Sequence, residues 1–222
     1  MTDETKPDGV IFLHGILRSK YSMAGLERAF RREGYNTLNI DYPSRRFSIR
    51  QLADRIAPRV HRFANKLDGR VHCVTHSMGG LIVRALLKRH RPANLGRVVM
   101  LGPPNKGSEA TDFWKNIWLY KTLYGSAGQE MATGPEGPAG WGDTADYPLG
   151  VIAGDRTVDF FHSSLIKGKD DGKVSVESTR MPGMADHIVL PATHSLMMYN
   201  PKVVHQTLHF IEHGRFDHET KR

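Results

Sequence analysis

Short apolar runs alternate with longer stretches whose apolar residues recur every three or four positions along this 222-residue chain. The first run, Val10-Ile11-Phe12-Leu13, ends at His14-Gly15. A helix is predicted over Ser22 to Glu33, with Met23, Leu26, Ala29 and Phe30 on one face and Gly34 as its stop. Thr37 to Tyr42 reads as the next strand and Ser48 to Leu67 as the next helix, which Pro58 is expected to kink or split. Val71 to Thr75, Arg97 to Gly102, Leu149 to Ala153 and Ile188 to Leu190 are further strands. Leu81 to His90 and Val203 to Ile211 are further helices. Strand runs without polar alternation, each followed by a helix, predict βα units and a mostly parallel sheet of about six strands buried on both faces. One α/β domain suits this length.

The span 113–146 breaks the rhythm. It opens on Phe113, Trp114, Ile117, Trp118, Tyr120, Leu123 and Tyr124 at helical spacing and closes on the Gly- and Pro-rich loop 134–140. An insertion of that length between strands is expected to be a small cap over a cleft or an amphipathic helix lying on the sheet. In the first case Trp114 and Trp118 would contact substrate.

The chemistry gathers where strand turns into helix. Thr75-His76-Ser77-Met78-Gly79-Gly80 runs from the apolar strand into the helix with no linker. So sharp a turn pushes the serine side chain out of the sheet and demands small residues two positions before and after it. Gly79 meets that demand, while Thr75 is larger than the usual glycine. Attack by Ser77 on a carbonyl would build a negatively charged oxygen, which needs two preorganised N–H donors. Met78 supplies one from the helix N-terminus. The turn His14-Gly15-Ile16 supplies the other, from Ile16, or from Leu17 as the fallback. Leu17 and His76 are also expected to line the substrate cleft, as is His14.

A hydroxyl nucleophile needs a base, and the base needs an acid to orient it. The chain has 12 histidines, so position must choose among them. His194 follows the last strand in Leu190-Pro191-Ala192-Thr193-His194 and is the expected base. His187 stands before that strand, at the wrong end of the sheet. His205, His209 and His213 share one helix face and read as solvated. The acid stays open by position: Asp155 and Asp159 follow the Val151-Ile152-Ala153 strand directly, and Asp171 stands further along the same connection.

Composition changes this picture little. The formal charge of +8 would suit a nucleic-acid binder, but the basic stretches Arg45 to Arg62 and Arg84 to Arg97 also carry apolar residues at helical spacing. They are read as solvated helix faces, with no nucleic-acid partner expected. Cys73 is the single cysteine, so no intrachain disulfide can form. The polar segment Met1 to Asp8 has no signal-peptide core, and no apolar run is long enough to span a membrane. A cytoplasmic location without stable membrane insertion is the expectation; the oligomeric state is left open.

Taken together, His14-Gly15, the elbow at Ser77 and Gly102-Pro103-Pro104-Asn105-Lys106-Gly107-Ser108 resemble bacterial lipases and esterases of the α/β-hydrolase superfamily. The last segment is similar to their P-H-x-G-S loop, with Asn105 in place of histidine. The resemblance implies a compact α/β-hydrolase fold acting on carboxylic esters; short or medium acyl chains are the expected substrates, with lipids left open. It also implies Asp171, in Asp171-Gly172-Lys173-Val174, as the triad acid, ahead of Asp155 and Asp170. Several of those lipases carry a calcium site beside the catalytic histidine, and a disulfide. Ser195-Leu196 and the lone cysteine lead us to expect no metal and no cofactor here. Thioesterase, amidase or acyltransferase chemistry would use the same side chains, and a non-catalytic binding protein could keep the fold.

Overall fold

Each predicted apolar run becomes a strand. The computed structural model describes residues 8–108, 127, 130, 131, 137–157, 166 and 168–219. Its six strands are β1 (Gly9–Leu13), β2 (Asn36–Ile40), β3 (Val71–His76), β4 (Leu95–Leu101), β5 (Leu149–Gly154) and β6 (Asp186–Leu190). They form one sheet in the order β2-β1-β3-β4-β5-β6, and every neighbouring pair is parallel. The four α-helices among the described residues that exceed one turn are α1 (Ala24–Arg32), α2 (Ile49–Ala64), α3 (Met78–Arg89) and α4 (Pro201–His213).

Helices cover both faces of this sheet, which is why its strands lack polar alternation. Along β1, Ile11 and Leu13 join the core beneath α2 and α3, while Val10 and Phe12 join the core beneath α1 and α4. The same alternation runs through β4, with Val98 and Met100 on the first side and Val99 and Leu101 on the second. The chain leaves β1 for the edge strand β2 and returns to β3 on the other side of β1. Open parallel sheets bind ligands outside the strand ends at such a reversal, and there Leu13 stands level with Thr75, and His76 with Leu101.

Pro58 does not split α2, one of the two outcomes expected of it. The helix runs unbroken from Ile49 to Ala64, started by a Ser48–Gln51 capping box. Pro58 removes the hydrogen bond that the Asp54 carbonyl would accept, but both residues are exposed, so water can take its place. On the other side Ile49, Leu52, Ile56 and Val60 are buried, as the solvated-face reading of this basic stretch requires.

The described end of the insertion is tied down by Arg84, a buried cation on α3. Its guanidinium donates to the Asp143 carboxylate, to the backbone and side-chain oxygens of Asn105 and to the carbonyl of Pro138. It also lies over the Trp141 ring. Five fixed donors on a planar group suit such a junction, since each buried carbonyl needs a partner. Asn105 carries the link onward by donating to the carbonyl of Thr179 at 2.8 Å. Among the described residues, no helix is long and apolar enough to cross a membrane.

Candidate active site

β3 ends at His76, and Ser77 then takes φ 52°, ψ −123° before α3 begins. A positive φ on a residue with a Cβ costs on the order of 1–3 kcal/mol and persists only where the surroundings enforce it. The surroundings here are explicit. The Ser77 amide donates to the Leu101 carbonyl at 2.9 Å, and the Ser77 carbonyl accepts from Gly80 at 2.8 Å. The first turn of α3 lies so close to the end of β1 that a Cβ on Gly79 would stand 2.6 Å from the Leu13 carbonyl oxygen. Thr75 fits on the other side of the turn, fully buried, and its hydroxyl has no hydrogen-bond partner.

His194 enters from the far side of the sheet, at the start of a short 3-10 turn after β6 (His194–Tyr199). Its Nε2 is 2.9 Å from Ser77 Oγ and its Nδ1 is 2.8 Å from Asp171 Oδ2. A carboxylate only accepts, so Nδ1 carries the proton and Nε2 offers its lone pair to the Ser77 hydroxyl. The His194 backbone amide also donates to the Asp171 carbonyl at 2.9 Å, which gives the pair two points of attachment.

Asp171 is buried, and both its carboxylate oxygens are engaged. Oδ1 accepts from the amides of Lys173 and Val174 at 3.1 and 2.9 Å, leaving Oδ2 for the imidazole. Gly102 makes room for this contact, because a Cβ there would lie 3.0 Å from Asp171 Oδ2 and 3.2 Å from His194 Nδ1. That glycine, with φ 53°, shows in the sequence only as a strand end. Ser108 Oγ donates to the Lys173 carbonyl at 2.8 Å, joining the Pro103–Ser108 loop to the loop that holds Asp171. The other carboxyls stand apart from His194. Asp155 Oδ1 is buried without a hydrogen-bond partner, 3.8 Å from Arg156, and Asp170 accepts from the Gly172 amide at 2.7 Å. Asp159 lies outside the described residues.

Met78 is the first residue of α3, so its amide has no intrahelical carbonyl to meet. Ile16 is half-buried against the core and Leu17 is exposed with φ 57°. One support of this loop leaves no mark in the sequence: the Tyr42 hydroxyl, in the loop after β2, donates to the His14 carbonyl, and the two rings stack 4.0 Å apart. Tyr42 sits 28 residues away from His14, so no local pattern links them.

His76 is buried behind His194, with ring centroids 4.9 Å apart. Its Nε2 donates to the His194 carbonyl at 3.0 Å, while Nδ1 has no partner. Burial holds this imidazole well below the usual histidine pKa, and His194 pushes the same way. Because the folded pKa lies below the unfolded one, the unfolded chain binds more protons as pH falls through about 6.5. The stabilisation from neutral His76 is therefore complete above that pH and is lost on acidification, at up to about 1.4 kcal/mol per pH unit. Thermal unfolding followed from pH 7.5 to 5 should show a shallower decline for His76→Gln than for the parent; equal slopes would remove His76 from the acid response.

Trp114 and Trp118, with most of the expected cap 113–146, lie outside the described residues. His187 sits near the start of β6 against the Thr179 hydroxyl, 3.0 Å away. His205, His209 and His213 line one side of α4 with their rings in contact, and none of them is buried. Among the described residues no group of three His, Cys, Asp or Glu side chains is placed to hold a metal ion.

The sequence profile described as alpha/beta hydrolase fold matches residues 9–126. A comparison with curated proteins finds no match. Solved structures are similar in fold at low identity. The mature form of the Bacillus licheniformis lipase BlEst2 is 20% identical, with a TM-score of 0.76 over 96% of this chain and 93% of that one. The metagenomic carboxyl esterase MGS0156 is 18% identical, with a TM-score of 0.68 over 86% of this chain and 65% of that one. The phospholipase PlaB from Legionella pneumophila is 18% identical, with a TM-score of 0.63 over 78% of this chain and 46% of that one. A six-stranded parallel sheet with helices on both faces, a strained serine between β3 and α3, and the matching profile agree: the chain belongs to the alpha/beta hydrolase fold family.

Proposed function

We propose that this protein is a serine hydrolase of carboxylic esters, with Ser77 as nucleophile, His194 as general base and acid, and Asp171 as the group that orients His194. The observation that carries this reading is the unbroken line from Ser77 Oγ to His194 Nε2 at 2.9 Å and from His194 Nδ1 to Asp171 Oδ2 at 2.8 Å. Ester substrates are favoured by the similarity to a lipase, an esterase and a phospholipase.

His194 Nε2 takes the hydroxyl proton as Ser77 Oγ bonds to the ester carbonyl carbon. The carbonyl oxygen becomes an oxyanion held by the amides of Met78 and Ile16, with the positive end of α3 behind Met78. The Asp171 carboxylate stabilises the imidazolium without taking its proton. Collapse breaks the bond to the alkoxy oxygen, which leaves as the alcohol with the proton from Nε2. Water then gives a proton to His194 and attacks the acyl-enzyme, and the same steps in reverse order release the acid and restore Ser77.

A fluorophosphonate probe tests the nucleophile directly, since it captures only an activated hydroxyl. The parent should take up one label per chain, at Ser77, and turn over p-nitrophenyl butyrate. Ser77→Ala should take up none. A label that persists in Ser77→Ala would place the reactive group elsewhere.

A further inference from the structure

Among the described residues, the exposed large apolar side chains are Leu17, Tyr21, Leu196 and Tyr199. All four stand on the two loops that flank Ser77: Leu17 and Tyr21 follow β1, while Leu196 and Tyr199 belong to the turn that begins at His194. These loops touch. Arg18 Nη2 donates to the Ser195 carbonyl at 3.2 Å, and the Tyr199 ring lies against Gly25 at the start of α1. Exposed apolar side chains scattered over a surface need no explanation, but their gathering on one edge among the described residues does.

Charge is gathered on the same edge. The loops after β1 and β2 expose Arg18, Lys20, Arg45 and Arg46 and a single carboxylate, Asp41. The Lys20 amide donates to Asp41 Oδ1, and Asn39 donates to the Lys20 carbonyl, so these two loops lie side by side. Apolar tips with cations on the neighbouring loops match a surface that is apolar beneath and anionic on top. Aromatic and aliphatic groups enter the acyl boundary of such a surface, and Lys or Arg meet its headgroups.

We propose that the C-terminal edge of the sheet around Ser77 docks on an anionic lipid surface, presenting the serine to esters held there. The docking is peripheral and reversible. Use of this face in turnover rests on the hydrolase reading; binding to the surface does not.

Ser77→Ala, which separates docking from hydrolysis, is to be floated with phosphatidylglycerol vesicles and with phosphatidylcholine vesicles. Flotation with phosphatidylglycerol alone, weakened by 0.5 M salt, is expected. Adding Arg46→Glu should lower partitioning at least about fivefold, the contribution of a single cation near such a surface, and Tyr21→Asp should lower it too. The same substitutions in the active parent should leave turnover of soluble p-nitrophenyl butyrate unchanged. Absence of flotation, equal flotation with both lipids, or variants that float like Ser77→Ala alone would each overturn the proposal. A chain that floats but hydrolyses no ester would keep the docking and remove the hydrolase reading.

Discussion

Ser77→Ala, His194→Ala and the double variant are each expected to lose about 10⁶-fold in kcat on p-nitrophenyl butyrate, with the double no worse than either single. The 2.9 Å contact between Ser77 Oγ and His194 Nε2 is the reason. Without the imidazole the hydroxyl keeps its proton at neutral pH and is a poor nucleophile; without the hydroxyl the imidazole has nothing to activate. Two groups that act as one unit cannot be lost twice. Residual turnover would come from substrate held by the remaining cleft and by the proposed oxyanion donors, the Met78 and Ile16 amides. Steady-state kinetics on protein free of any parent enzyme is the measurement. A double variant slower than either single by the product of their effects would mean that the two side chains work independently, and the proposed mechanism would fail.

The second large effect concerns the acid. Asp171→Asn should lower kcat by about 10⁴, the loss expected when an imidazole is held in the wrong tautomer. Asp155→Asn should stay within about twofold of the parent, since its half-buried carboxyl takes no part in the hydrogen bonds of His194. Asp171 Oδ1 already accepts from two amides, so an asparagine keeps its oxygen there and turns its NH₂ toward His194. A donor facing Nδ1 drives the imidazole proton to Nε2, where it opposes the Ser77 hydroxyl. Asp155 has Arg156 for company and makes no hydrogen bond to His194. The side-by-side kinetics of the two variants decide the matter, because an inactive Asp155→Asn beside an active Asp171→Asn would reverse the assignment.

The local parts of this molecule are legible in its sequence. Val10 to Leu13 and Val98 to Leu101 are apolar at every position because helices cover both faces of their sheet. The elbow is legible for a similar reason. Strand, serine and helix follow one another without a linker, and the glycine two residues after Ser77 answers a clash with the Leu13 carbonyl that only a missing Cβ relieves. Such signals sit within a few residues of the groups they describe.

What the sequence by itself determined is therefore the parallel sheet, the strained serine at its C-terminal edge and the loop in which the partner histidine stands. Position along the chain left the acid open and only the family resemblance pointed to Asp171; the tertiary structure shows the contact itself, that Pro58 does not split α2, and that Tyr42 and Arg84 hold the loops at the site. Asp155 and Asp171 both follow β5 in the same connection. The course of the loops, joined by contacts such as that of Ser108 with the Lys173 carbonyl, brings one to the imidazole and not the other. Contacts of that kind join residues far apart in the chain, and their geometry leaves no periodic trace in either partner's neighbourhood.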